Sequence, residues 1–391
     1  MKVKGDPENA RLINRSLILN ELRMNDMLSR ADLARTLKLS KMTISSIVTD
    51  LINEQFICET GIGDSMKQGG RKPILLTLST SELYVIGVDI GKTNTAVSLG
   101  NLKGKLIQSS RVPTRRNHDQ ESILGQISEL VNDIIGKSGI SRNTILGVGV
   151  SIGGLVNKLS GYISLSPDFN WKDVPLKDLL ENSLELPVIV DNCSRVMALG
   201  EKWHGSASLV NNFFFINVGF GIGSAIVIKD QIYDKNSEFG HIFITGKDVR
   251  CDCGNYGCLE SVASGQAIER IANEKLAGKQ DNWYTARDVA ELALKGDIDA
   301  KQIFQDAGRY LGRALSMAAN LFNPDKIIIG GGVSNSGEIL LGPLKDEFDV
   351  HSMEIINDTT QIELSELGMD AGVLGAVSLA LDNYVFHSDR I

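Results

Sequence analysis

Leu28-Ser29-Arg30-Ala31-Asp32-Leu33-Ala34-Arg35-Thr36-Leu37-Lys38-Leu39-Ser40-Lys41-Met42-Thr43-Ile44 holds two helical patterns separated by a very short turn. Ser29 and Ser40 each stand where a side-chain oxygen can accept an orphan N–H at a helix start. The second helix is expected from about Lys41 to Glu54. There Ile44, Ile47, Val48, Leu51 and Ile52 recur at i, i+3, i+4, i+7 and i+8, one apolar stripe that must face another helix. The opposite face carries Lys41, Thr43, Ser46, Thr49 and Asn53, and Ser45 joins them as a DNA-binding candidate. These short hydroxyl side chains and a cation suit base edges and phosphates in a major groove.

Working outward, an earlier amphipathic segment over 9–24, with Ile13, Leu17, Ile18 and Leu22, completes a three-helix core. Downstream, residues 56–60, a Gly-rich stretch 61–70 and residues 71–78 read as strand, loop and strand, which is a wing. Arg71 and Lys72 at its tip, with Arg30 on the first helix, add cations for phosphate or a narrow minor groove. Residues 1–80 therefore form an expected winged helix-turn-helix that binds double-stranded DNA. A helical protein-binding module with a basic hairpin is the alternative. Cys58 is expected to be buried in the wing without chemistry.

The charge divides along the same line. The chain of 391 residues carries −8 overall, but 1–80 hold 12 Lys and Arg against 9 Asp and Glu, a net +3, leaving −11 on the remainder. An acidic body keeps random polyanions off, so DNA contact falls to the head. With 42% hydrophobic and 23% charged residues the composition is that of an ordinary globular protein. The first ten residues lack the apolar run of a signal peptide, and no stretch reaches the roughly 20 apolar residues that span a bilayer. A cytoplasmic protein with no membrane partner is expected.

Three of the five cysteines crowd into Cys251-Asp252-Cys253-Gly254-Asn255-Tyr256-Gly257-Cys258, separated from His241 by nine residues. Three thiolates and one imidazole make a tetrahedral Zn²⁺ set with no open position, hence a structural zinc held by His241, Cys251, Cys253 and Cys258. Three Gly-rich turns accompany it: Asp89-Ile90-Gly91-Lys92-Thr93-Asn94, Gly219-Phe220-Gly221-Ile222-Gly223 and Gly330-Gly331-Gly332. Each is weak alone, fitting a phosphate cradle or a plain hairpin.

Taken together with Trp171-Lys172-Asp173-Val174-Pro175-Leu176 and Glu238-Phe239-Gly240-His241, these segments resemble the ROK family of repressors and sugar kinases. The head resembles that of the repressor branch, which includes xylose repressors and glucose or N-acetylglucosamine regulators. The resemblance implies an α/β chain: a two-lobed actin/hexokinase-like (ribonuclease H-like) body behind the winged head. The expected lobes are 83–200, joined by a C-terminal helix at about 372–391, and 201–371. It also implies a sugar or polyol held by Gly154, Asn192, Glu238, His241 and Glu260. Vicinal hydroxyls both donate and accept, so carboxylates and an amide suit them. His241 would serve zinc with one ring nitrogen and a hydroxyl with the other.

The chain departs from the kinases at Val190-Asp191-Asn192-Cys193-Ser194-Arg195. Cys193 stands where the resemblance places the aspartate that deprotonates the sugar hydroxyl, and losing such a base costs about 10²- to 10⁴-fold in rate. Lys92 replaces a glycine in the first phosphate loop, and Phe220 a small hydroxyl residue in the second. Asp168, Gly153 and Leu155 also differ from the usual Asn and Pro. No catalytic residue is expected: the chain is read as a sugar-responsive repressor, a homodimer or homotetramer on an inverted-repeat operator, with no enzymatic activity. An ATP-dependent sugar kinase with a regulatory head is the first alternative, a repressor answering a protein partner the second.

Overall fold

The computed structural model describes residues 7–62, 72–115, 119–246, 249–276 and 283–387. The head comprises α1 (Pro7–Asn25), β1 (Leu28–Ser29), α2 (Arg30–Leu37), α3 (Lys41–Asn53), β2 (Ile57–Ile62) and β3 (Ile74–Leu78). Ser29 starts α2 through a reciprocal capping box with Asp32, and Ser40 caps α3 by accepting from the Thr43 amide. Between them Lys38 takes a left-handed conformation, φ 54°, which ends α2 and turns the chain. β3 pairs antiparallel with both β1 and β2, closing the wing. The stripe on α3 is buried as its spacing requires, at Ile44, Ile47, Val48 and Leu51.

Two sequence expectations fail here. On α1 the buried residues are Ile18, Leu19 and Leu22, whereas Ile13 and Leu17 are 48% and 43% exposed. The N-terminal half of the helix meets α3 and its C-cap through the ion pairs Arg11–Asp50 and Arg15–Glu54 rather than through Ile13 and Leu17. Cys58 is exposed, because alternation along β2 turns Ile57 inward and its neighbour out.

The body follows with β4 (Tyr84–Ile90), β5 (Asn94–Asn101), β6 (Leu106–Pro113), α4 (Gln120–Ser138), β7 (Ile145–Ile152), the short β8 (Leu155–Asn157), β9 (Tyr162–Ser166) and β10 (Trp171–Val174), then α5 (Leu176–Leu184) and β11 (Val188–Asn192). Helix α6 (Cys193–His204) leads into β12 (Phe213–Val218), β13 (Ile222–Ile228) and β14 (Gln231–Ile232). Beyond them come α7 (Glu260–Ala263), α8 (Gly265–Lys275), α9 (Ala286–Leu294), α10 (Ile298–Phe322), β15 (Lys326–Gly330), α11 (Glu338–His351), α12 (Glu354–Asn357), β16 (Gln361–Leu364) and α13 (Ala371–Leu381).

Two five-stranded sheets run in the orders β11-β7-β4-β5-β6 and β14-β13-β12-β15-β16. Each is three antiparallel strands extended by two parallel ones, so the second sheet repeats the topology of the first. The central strands read as continuous apolar runs because both faces are covered. Helix α13 lies directly on the first sheet. A Cβ on Gly149 would stand 2.1 Å from the Ala376 carbonyl oxygen, and one on Gly87 2.6 Å from the Val377 nitrogen, so glycine alone permits this approach. On its other side α13 crosses α6 at Gly200 and Gly375.

The head is not packed by itself. Its buried residues join one apolar cluster with Val85, Leu102, Val377, Ala380, Leu381 and Phe386, so head, first sheet and α13 share a core. Among the described residues no helix is long and apolar enough to cross a membrane.

Candidate functional site

Helix α3 presents Lys41, Ser45, Ser46 and Thr49 to solvent, with Thr43 half-buried. Several of these groups already have local partners. The Ser40 and Thr43 hydroxyls lie 2.8 Å apart, and Thr49 donates to the Ser45 carbonyl at 2.8 Å. Arg30 pairs with Glu59 of the wing at 3.0 Å, which steadies the wing and partly neutralises that cation. Lys72 is exposed beside the wing, while Arg71 lies outside the described residues. Met42, 83% exposed in the first turn of α3, was not singled out by the sequence. Its signal in the sequence was that it falls off the buried stripe.

A second site lies between the two sheets, at the ends of β4, β7 and β11. Asn192 caps α6, its Oδ1 accepting from the Ser194 amide at 2.9 Å, while its Nδ2 donates to the Gly154 carbonyl at 2.8 Å. Gly154 has φ +128°, and a Cβ there would stand 2.4 Å from the Leu165 carbonyl, so this turn needs glycine. From the other lobe comes Glu260 at the start of α7. Its Oε2 accepts from the Ile222 amide at 2.7 Å, which ties it to the second Gly-rich turn. Its Oε1 faces the cysteine cluster, 3.9 Å from the Cys251 sulfur. Glu238 is exposed, with Oε2 3.9 Å from Nε2 of His241.

The His241 ring faces two ways. Nδ1 lies 3.6 Å from the Cys251 sulfur, and Nε2 turns to Glu238. Cys253 and Cys258 sulfurs are 3.7 Å apart, and all four donor atoms lie within 4.8 Å of one another. A tetrahedron with metal–sulfur bonds of about 2.3 Å has sulfur–sulfur edges of about 3.8 Å, so the set fits a structural metal ion. The loop reaches this shape through left-handed glycines: Gly254 at φ +95° and Gly257 at φ +72°, where a Cβ would stand 2.5 Å from the Thr245 carbonyl.

Cys193 opens α6 beside Asn192. Burial first, then the Asp89 and Asp168 carboxylates, push its thiol up to about 12, so it is neutral at physiological pH. Asp89 is half-buried and accepts from the Ser151 hydroxyl at 2.7 Å. Asp191, two residues before Cys193, is held by Arg195. Its Oδ1 takes the Nε of Arg195 at 2.7 Å and a second guanidinium nitrogen, and both side chains are 5% exposed.

The structure also joins two substitutions that the sequence presents separately. The Lys92 ammonium sits 3.8 Å over the Phe220 ring centroid and 3.9 Å from Asp168. The side chains at positions 92 and 220 thus form one cation–π contact between the first and second Gly-rich turns.

Comparison with known proteins agrees with this architecture. The ROK family profile matches residues 85–383. The chain belongs to the ROK family. A xylose repressor of Caldicellulosiruptor bescii is 29% identical over 384 residues, covering 95% of this chain and 96% of its own length. A glucokinase of Halalkalibacterium halodurans is 33% identical over 310 residues but covers only 75% of this chain, against 94% of itself. The crystal structure of a ROK family transcriptional regulator, a homologue of the Escherichia coli MLC protein, superposes with a TM-score of 0.83 and 27% identity, over 97% of this chain and 98% of that one. Within the ROK family, then, the repressors match from head to C-terminal helix, while the kinase matches a shorter span. The fold is the two-lobed actin/hexokinase-like one.

Proposed function

We propose that this chain is a sugar-responsive transcriptional repressor that binds its effector in the interlobe cleft without phosphorylating it. The head-to-tail likeness to ROK repressors supports the repressor role. The observation that carries the sensor reading is the neutral Cys193 thiol at the base position, beside a Lys92–Phe220 contact where the phosphate loops meet. Asn192, Glu238, His241 and Glu260, with Gly154 shaping the rim, hold the polyol. Zn²⁺ on His241, Cys251, Cys253 and Cys258 fixes the His241 ring, and with four protein ligands it is structural.

The head reads DNA through Arg30, Ser40, Lys41, Thr43, Ser45, Ser46, Thr49, Arg71 and Lys72. In a cytoplasmic homodimer or homotetramer two heads engage half-sites about 34–36 Å apart on an inverted repeat, so a small rotation of the bodies breaks simultaneous contact. A coupling free energy of about 1–3 kcal/mol gives a 5- to 150-fold loss of operator affinity on effector binding. Gel-shift titration with xylose, glucose, N-acetylglucosamine, mannose and inositol tests this. Tighter operator binding with every sugar contradicts it.

The glucokinase likeness keeps a second reading in view, a sugar kinase with a regulatory head. Coupled ADP release with the same sugars separates the two, since robust turnover would establish the kinase.

A further inference from the structure

Arg195 lies in the first turn of α6, 4% exposed, with its guanidinium spent on both sides of the cleft. Nε and Nη2 donate to Asp191 at the end of β11, and Nη2 also donates to the Val156 carbonyl in β8 at 3.1 Å. Those partners belong to the first sheet and its rim. Nη1 points the other way and donates to Asn236 Oδ1 at 2.9 Å. Asn236 follows β14 of the second sheet, two residues before Glu238 and five before His241. Ser237 is held from its own lobe, its hydroxyl 2.7 Å from that of buried Ser224 on β13.

We propose that Arg195 is a positioning residue for effector recognition, clamping segment 236–241 of the second lobe to Asp191 and Val156 of the first. A buried ion pair loses solvation and is matched in stability by apolar side chains of similar volume, so stability alone does not call for one here. A planar, permanently charged fork does what an apolar group cannot: it grips three oxygens at fixed directions at once. Asn236 and Glu238 are both exposed and the segment has no strand or helix of its own until the turn at Phe239, so the direction of Glu238 depends on such ties. The role assigned to Glu238 and His241 rests on the sugar-sensing reading; the clamp itself does not.

The test uses the full-length, zinc-loaded protein with two substitutions at the exposed partner, where folding is at little risk. Asn236→Ala removes the acceptor, and Asn236→Asp retains it. Hydrogen–deuterium exchange across 233–241 is expected to rise about tenfold in Asn236→Ala and to stay near wild type in Asn236→Asp, the size expected for one hydrogen bond to a charged group. Calorimetry with xylose, glucose, N-acetylglucosamine, mannose and inositol is expected to show about tenfold weaker binding of the recognised sugar by Asn236→Ala alone, with sugar-free operator affinity unchanged. Unaltered exchange in Asn236→Ala, equal loss in both variants, or loosening that extends to β4 overturns the clamp. A wild type that binds none of the five sugars defeats the sensing reading instead, and the exchange result still decides the clamp.

Discussion

At the scale of single residues, the chemistry turns on what surrounds one sulfur. Cys193 is half-buried and flanked by Asp89 and Asp168, so its thiol holds its proton at any physiological pH. Restoring a carboxylate by Cys193→Asp alone is expected to leave ADP release at background, because Lys92 and Phe220 still occupy the phosphate loops. Adding Lys92→Gly and Phe220→Ser is expected to raise turnover measurably, and activity in the single variant would show the loops to be innocent. The metal set makes a second residue-level prediction. Cys253→Ser is expected to lower bound zinc, measured by elemental analysis, and to lower the thermal midpoint and sugar response with it. Cys58→Ser, on an exposed wing position, is expected to change neither.

Elements carry the coupling. Helix α6 begins at the cleft with Asn192 and Cys193 and ends with Trp203 and His204 beneath the head. There Arg23 of α1 lies 4.3 Å over the Trp203 ring and 5.6 Å from that of Phe386, and Asn20 donates to the Phe386 carbonyl at 2.9 Å. A half-buried cation–π contact is worth about 1–2 kcal/mol. Arg23→Ala is therefore expected to keep both sugar and operator binding yet shrink the effect of one on the other, measured as the ratio of operator affinities with and without sugar. An undiminished ratio would remove α1 from the path. Beside it, burial and the Arg23 charge lower His204 to about 4 from its ordinary 6.5. The unfolded chain takes up the proton first as pH falls, so the stability tied to this residue is whole above pH 6.5 and is lost on the way down towards 4. The slope is about 1.4 kcal/mol per pH unit. Denaturant unfolding at pH 7 and 5.5 is expected to show a smaller drop for His204→Gln than for wild type, and equal drops would refute the assignment.

At the scale of the whole molecule, a head whose core runs into α13 and the first sheet cannot tilt without disturbing the body, which suits a receptor that converts lobe closure into head movement. Much of this plan was legible in one dimension. The caps at Ser29 and Ser40, the stripe from Ile44 to Leu51 and the cysteine spacing around Gly254 and Gly257 are local: each depends on neighbours within a turn or loop, and such neighbours are written next to one another. Where the signal depended on distant surfaces it misled or fell silent. Periodicity could not say that α1 covers its core with only Ile18, Leu19 and Leu22, nor that Cys58 faces water. Lys92 and Phe220 stand 128 positions apart, Arg195 and Asn236 41, and no local rule relates them. Order along the chain thus settled the helix caps, the turns and the grouping of His241 with three cysteines, because those follow from bonding within a few residues. Which side chains meet across the cleft, and which face of a helix finds a partner, was decided only when packing brought remote segments within a few ångströms.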